Sequence, residues 1–298
     1  MRRYLAEFLS DPRVVSLPRL LWLPILYGIV LNTRPARSAK KYALIWTPDG
    51  SPLAVHTARQ TQLLRSSLKE FRIEYAMRYG EPSIASGLEK LRSCESVTVV
   101  PLYPQYSDSA TGSVVDAVKG QYLVVKDFYD HPAYIAALSS AVKNFREKRG
   151  PARTLLMSFH GLPKRGAEVY ERQCLATARL LAEKLELKEG AWQATFQSRF
   201  GFADWLQPYT QPTLEALARS GTSEVDVFCP GFVSDCLETL EEIGITAKEA
   251  FLAAGGKELR LIPCLNESPE WIAALAEIST KPLKAKTPSA PGDLSAGP

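Results

Sequence analysis

Few side chains in this 298-residue sequence could carry acid–base or metal chemistry near neutral pH, and position singles out two of them. The histidines are His56, His131 and His160. His56 lies in a helical pattern, Leu53-Ala-Val-His-Thr-Ala-Arg-Gln, and His131 precedes Pro132 where a helix should start, so both read as helix-surface or capping groups. His160 follows Thr154-Leu-Leu-Met-Ser-Phe and precedes Gly161-Leu-Pro, at the mouth of a buried strand. A neutral imidazole there is a base near pH 7 and a borderline metal ligand; a bond to loop backbone is the competing reading. A second strand end, Val225-Asp-Val-Phe-Cys, runs into Pro230-Gly-Phe-Val-Ser-Asp-Cys-Leu-Glu-Thr-Leu-Glu-Glu. Glu238 and Glu242 are four apart, on one helix face, with Glu241 beside them. Asp235 followed by Glu238 also fits a capping box, in which both carboxylates serve helix-start N–H groups. One His and one Glu converging from two strand ends would form a two-ligand metal site with open positions. Such a site releases its ion, whereas permanent retention takes three or four ligands.

The elements that must position these residues are short apolar runs. They begin at Ile73, Val97, Tyr122, Thr154, Trp192, Val225 and Leu259, and helical patterns such as 170–187 separate them. Several runs are apolar on consecutive positions, as parallel strands covered on both faces require. The alternation predicts an α/β protein with two Rossmann-like, doubly wound parallel sheets in series, whose chemistry sits where loops leave the carboxyl ends of strands. No G-x-G-x-x-G, G-x-x-x-x-G-K-[ST] or G-x-S-x-G motif occurs. The crevice therefore lacks the usual phosphate loops and the hydrolase nucleophile.

With 46% hydrophobic residues, 23% charged residues and a net charge of +4, the chain is neither disordered overall nor basic enough to bind nucleic acid. Five cysteines without a C-x-x-C pair argue for buried free thiols rather than disulfides or a Cys₄ metal site. No secretory h-region leads the sequence, so a cytoplasmic protein is expected. Residues 20–31 are strongly apolar but too few, and interrupted by Pro24, to span a bilayer; they read as a core helix pair, a pocket lip or a peripheral membrane contact. Residues 281–298 read as a disordered tail.

Five blocks in order make the sequence resemble ferrochelatases of the proteobacterial type. They are Pro101-Leu-Tyr-Pro-Gln-Tyr-Ser with Thr111-Gly-Ser, Ser158-Phe-His-Gly-Leu-Pro, Phe196-Gln-Ser-Arg with Trp205-Leu-Gln-Pro, the segment from Cys229 to Glu242, and Ile262-Pro-Cys-Leu-Asn. The resemblance implies two Rossmann-like domains with a porphyrin cleft between them. Their expected bounds are residues 1–130, joined by a C-terminal helix at 264–280, and residues 131–263. It implies insertion of Fe²⁺ into protoporphyrin IX, with iron and porphyrin as substrates, no tightly bound cofactor and no iron–sulfur cluster. His160 and Glu238 would handle the metal and the pyrrole protons, and Glu242 would continue an ion path. The third acid of that path is replaced here by Thr246. Tyr42 and Ser51, from Lys41-Tyr and Gly50-Ser-Pro-Leu, would contact the porphyrin, as would Tyr103 and Tyr106. Residues 20–31 match the family's apolar lip, where contact with the inner membrane is expected. The family pattern opens with a strand and an Asn-Leu-Gly-Thr-Pro-like loop ahead of the segment matched by Met1-Arg-Arg-Tyr, so this sequence is expected to lack both. An inactive tetrapyrrole- or metal-binding homologue, or a chelatase for another metal or ring, stays open on the residues alone.

Overall fold

The computed structural model describes residues 1–15, 17–150, 152, 154–201 and 203–280; the expected tail at 281–298 lies outside them. Five helices lead the chain: α1 (Arg2–Leu9), α2 (Arg19–Ile25), α3 (Leu31–Ile45), α4 (Pro52–Ser67) and α5 (Ile84–Lys90). Two short strands, β1 (Thr98–Val99) and β2 (Leu123–Val124), pair in parallel around α6 (Ser113–Ala117). Helix α7 (Pro132–Arg149) then leads into β3 (Thr154–His160), α8 (Glu168–Lys184), β4 (Trp192–Gln197), α9 (Thr210–Arg219) and β5 (Glu224–Phe228). A π-helix (Glu238–Ala247) continues into α10 (Lys248–Ala253), followed by β6 (Glu258–Leu261) and α11 (Pro269–Thr280).

The larger sheet is parallel throughout, in the order β4-β3-β5-β6. Its consecutive apolar positions serve two cores. Leu155, Met157 and Phe159 pack with Tyr134, Leu138, Cys174, Leu181 and Trp271 from α7, α8 and α11. Leu156 points the other way, to Val225, Val227, Leu214, Ile243 and Phe251. Side chains alternate faces along a strand, and here each face meets a helical layer, so both must be apolar. Each such fully buried Leu, Val or Phe contributes about 1.5–3 kcal/mol relative to exposure. One charge is buried among them: Asp226 on β5 is fully enclosed and accepts from Arg260 on β6 (2.7 Å) and Arg146 on α7 (2.8 Å). Helix α11 lies against α7 and also against α4 of the first half.

Six of the seven apolar runs form strands among the described residues. The run at 73–78 does not; it makes one isolated bridge, Met77 to Ser83. No described strand pairs with it, and a strand without a ladder partner leaves its backbone groups unsatisfied. Residues 20–31 form α2 and a π-helical turn, Leu26–Val30. Leu26 and Leu31 pack on Leu5 and Leu9 of α1, and Asn32 Nδ2 donates to the carbonyls of Tyr27 and Gly28 at the distorted turn. The rest of that surface is open: Leu20 is 91% exposed, and Leu21, Ile25, Tyr27 and Ile29 are exposed beside it.

Candidate active site

In the order β4-β3-β5-β6 the chain moves outward from β3 to β4 and then returns to the other side at β5. The reversal lies between the carboxyl ends of β3 and β5, where open α/β sheets hold their ligands. His160 ends β3, and the loop leaving β5 carries the chain to Glu238. The two elements that position the pair thus flank one switch point.

His160 is half-buried, and its Nδ1 lies 2.6 Å from the Gly161 carbonyl oxygen. A carbonyl only accepts, so this bond places the proton on Nδ1 and leaves the Nε2 lone pair for a proton or a metal ion. Gly161 N–H donates to the Gln197 carbonyl at 2.8 Å. A Cβ at 161 would stand 2.5 Å from that same oxygen, so the close approach demands glycine. The backbone bond that orients His160 and the pairing of β3 with β4 meet at this residue.

The helix bearing the acids is π-helical from Glu238, not α-helical as the spacing predicted, and its first residues are supported from outside. The capping box is not made. Asp235 N–H donates to Asn266 Oδ1, and the Asp235 carboxylate accepts from Asn266 Nδ2, Cys264 N–H and Thr239 Oγ1. Glu238 is thereby left to other work. Its charge is felt by the phenols of Tyr4, Tyr42 and Tyr103 from the first half and by the buried thiol of Cys236. Burial, reinforced by the Glu238 charge, pushes the Tyr42 phenol up to about 12. Burial raises Tyr4 as well, with Tyr42 and Glu238 adding to it, and Tyr103, although 41% exposed, is raised by partial burial and then by the Glu238 charge. All three phenols therefore stay neutral at physiological pH. Among the described residues no group of three or more His, Cys, Asp or Glu is assembled around a metal position; His160 Nε2 and Glu238 are the two donors the strand ends present.

Gln197 links the two. It pairs with His160 across β3 and β4, its Nε2 donates to the Glu238 carbonyl at 2.7 Å, and its Oε1 accepts from Ser158 Oγ at 2.6 Å. The Glu242 carboxylate accepts from Ser198 N–H and Ser198 Oγ, both at 2.6 Å, and from Gln197 Nε2 at 3.4 Å. Ser51 is placed at the N-cap of α4 and makes no capping bond with its hydroxyl. Tyr106 stands apart from the Glu238 group: its hydroxyl donates to Asp108 at 3.0 Å and its N–H to Gln173 Oε1 at 2.6 Å. The sequence reading assigned no role to Tyr4, Cys236, Gln197 or Ser198. Gln197 and Ser198 had a signal, polar residues at the mouth of an otherwise covered strand; Tyr4, on an amphipathic helix, had none.

The ferrochelatase family model matches residues 1–283. A ferrochelatase from Aromatoleum aromaticum is 54% identical over 297 residues, covering 93% of this chain and 81% of that protein. One from Bordetella pertussis is 49% identical over 302 residues, covering 95% and 83%. Among solved structures, CbiX, described as the terminal enzyme for biosynthesis of sirohaem in denitrifying bacteria, superposes with a TM-score of 0.54 at 14% identity over 76% of this chain and 92% of its own. SirB from Bacillus subtilis with Fe³⁺ gives 0.52 at 15% identity over 75% and 90%. These two share the chelatase fold with this chain. By the extent of the family match and the identity to its curated relatives, the chain belongs to the ferrochelatase family.

Proposed function

We propose that this protein inserts Fe²⁺ into protoporphyrin IX to give protohaem, releasing two protons. The observation that supports the reading is that one switch point has a histidine with a free Nε2 ending β3, and the chain leaving β5 leads to Glu238, whose charge is felt by neutral phenols. Metallation requires two pyrrole N–H protons to leave while the ion sheds water. In a flat macrocycle the nitrogen lone pairs point at one another, so contacts that bend the ring expose them. His160 Nε2, whose lone pair is left free by the Nδ1 bond, accepts a pyrrole proton. Glu238 coordinates the ion and offsets the charge that develops.

Tyr42 and Tyr103 line the ring-binding face, and Tyr106 serves it at one remove by anchoring the turn that presents Tyr103. Ser51, at the amino end of a 16-residue helix, suits a propionate carboxylate, because that end carries partial positive charge. Glu242 is the next carboxylate along an ion's route; a carboxylate has about four lone-pair sites, so its three donors leave room for a passing ion. Among the described residues no helix is long and apolar enough to cross a membrane. The open apolar face of α2 is the surface we assign to peripheral contact with the inner membrane, from the cytoplasm.

Purified protein tests this with Fe²⁺, Zn²⁺ and Co²⁺ against protoporphyrin and coproporphyrin. Haem formation from Fe²⁺ and protoporphyrin is the expected result. His160→Ala and Glu238→Gln should each cut metallation at least ~100-fold, the lower end for an acid–base group, with porphyrin still bound. Near-wild-type turnover in either variant, or metallation of a more reduced ring alone, refutes the assignment.

A further inference from the structure

Lys41 and Tyr42 are adjacent on α3 and reach two acids of the same π-helix. Helix α3 packs on the π-helix and its Tyr42 phenol feels the Glu238 charge, while Lys41 Nζ lies 2.8 Å from Glu241 Oε2. The Glu241 side chain is 7% exposed and that of Lys41 52%, so a cation reaches in from the surface to balance an enclosed carboxylate. The other Glu241 oxygen accepts from Thr246 Oγ1 at 3.0 Å. Residues five apart stack when a helix winds in the π register. At 100° per residue, an α-helix would set Thr246 about 140° around from Glu241. The pair therefore exists only because this segment is π-helical.

We propose that Lys41, Glu241 and Thr246 form a positioning device that fixes the first turn of the π-helix against α3, and with it the separation of Tyr42 from Glu238. The proposal rests on the metallation reading above. None of the three residues touches the reacting atoms. Lys41 acts through Glu241, and Glu241 acts through the backbone it shares with Glu238 and Glu242. A substrate carboxylate is the rival partner for an exposed lysine beside a porphyrin site, but here the ammonium is engaged by Glu241.

The full chain is assayed as wild type, Lys41→Met, Lys41→Arg, Glu241→Gln, the Lys41→Met/Glu241→Gln double variant and Thr246→Val. Steady-state Zn²⁺ insertion gives kcat and KM, and quenching of tryptophan fluorescence gives porphyrin affinity. Lys41→Met should lower kcat about tenfold, the scale of a modest displacement of a catalytic group, with porphyrin affinity changed less than about twofold. The double variant should be no worse than Lys41→Met, because deleting the Glu241 charge removes the imbalance the first change created. Lys41→Arg should restore most of the rate. Wild-type kcat in Lys41→Met, a loss confined to porphyrin affinity, or losses that multiply in the double variant would each overturn the proposal. If Lys41→Met does not fold, Thr246→Val, which deletes one hydroxyl, must show a smaller loss of the same kind, and unchanged kcat there overturns it equally. An unmodified chain that does not metallate refutes the functional reading and this proposal with it; an active wild type with unaltered variants refutes the device alone.

Discussion

Replacing Gln197 by Met keeps the length and bulk of the side chain but deletes every hydrogen bond it makes. In the structure these are the 2.7 Å donation to the Glu238 carbonyl, the 2.6 Å bond from Ser158 Oγ, a weak one from Cys229 Sγ at 3.7 Å, and a long one to Glu242 at 3.4 Å. Ser158 keeps Thr210 Oγ1 at 2.8 Å, and Glu242 keeps Ser198. The principal losses are therefore two buried bonds at about 1 kcal/mol each, or about 2 kcal/mol in all. At roughly 2–4 °C per kcal/mol for a chain of this order of size, Tm should fall by about 4–8 °C. The kinetic effect should be disproportionate, because the lost donor is the one that ties the strand of His160 to the helix of Glu238. A shift of Glu238 by as little as about 1 Å can cost up to ~100-fold in rate. Differential scanning calorimetry and Zn²⁺ insertion into protoporphyrin, measured on the same preparation, give both numbers. A Tm within about 1 °C of wild type together with unchanged kcat would show that Gln197 does not bridge the site.

Three further outcomes are expected. Asp226→Asn leaves Arg146 and Arg260 facing a neutral partner, an imbalance of about 3–5 kcal/mol, and should show as a lower midpoint in urea unfolding with little change in porphyrin affinity. Burial alone would raise the Asp11 carboxyl, but hydrogen bonds from Ser113, Arg13 N–H and Tyr79, with the Arg78 charge, hold it below the usual carboxylate value. A carboxyl depressed in the folded state contributes stability above its unfolded pKa, about 3.9, and loses it in more acid solution. The stability gap between wild type and Asp11→Asn should accordingly be open at pH 7 and shrink as pH falls below about 4, as urea titrations at both pH values would reveal. Finally, burial raises the thiols of Cys174, Cys229, Cys236 and Cys264, whereas Cys94 is only half-buried. Iodoacetamide followed by mass spectrometry should label Cys94 in the native protein and all five cysteines after denaturation; rapid native labelling of Cys236 would contradict the packing around Glu238.

The placement of His160 and Glu238 was legible because parallel strands covered on both faces read as unbroken apolar runs, and their ends can be located from sequence. The run at 73–78 mixes β-forming residues with Glu74 and Arg78 and forms no strand, because a ladder needs a neighbour and composition does not supply one. The π-helix was illegible for a different reason. Glu238 and Glu242, four apart, share a face under α-helical winding too, so their spacing does not tell the registers apart, whereas the bond between Glu241 and Thr246 fits the π register. Tyr4 reached the site through the packing of α1 on α3, a tertiary contact that its amphipathic pattern shares with any surface helix. Tyr106 shows the converse: it sits in the same motif as Tyr103, but its hydroxyl is turned to Asp108, a choice made by rotamer rather than by sequence.

The ion cluster on Asp226 also divides the larger sheet by its dynamics. Arg260 Nη1 donates to the Arg149 carbonyl at 3.0 Å and its Nε donates to Asp226, with Nη2 in the same ion pair, so the end of α7, the middle of β5 and β6, and the approach to β3 are fastened at one place. The switch-point end has loops instead, held by single side-chain bonds. Amide hydrogen exchange should therefore be graded along the strands: amides of β3 and β5 near Asp226 exchange only on global unfolding, while those between Cys229 and Glu238 exchange through smaller local openings. A protein arranged in this way can admit a planar ligand by moving its loops, without loosening the sheet from which those loops spring.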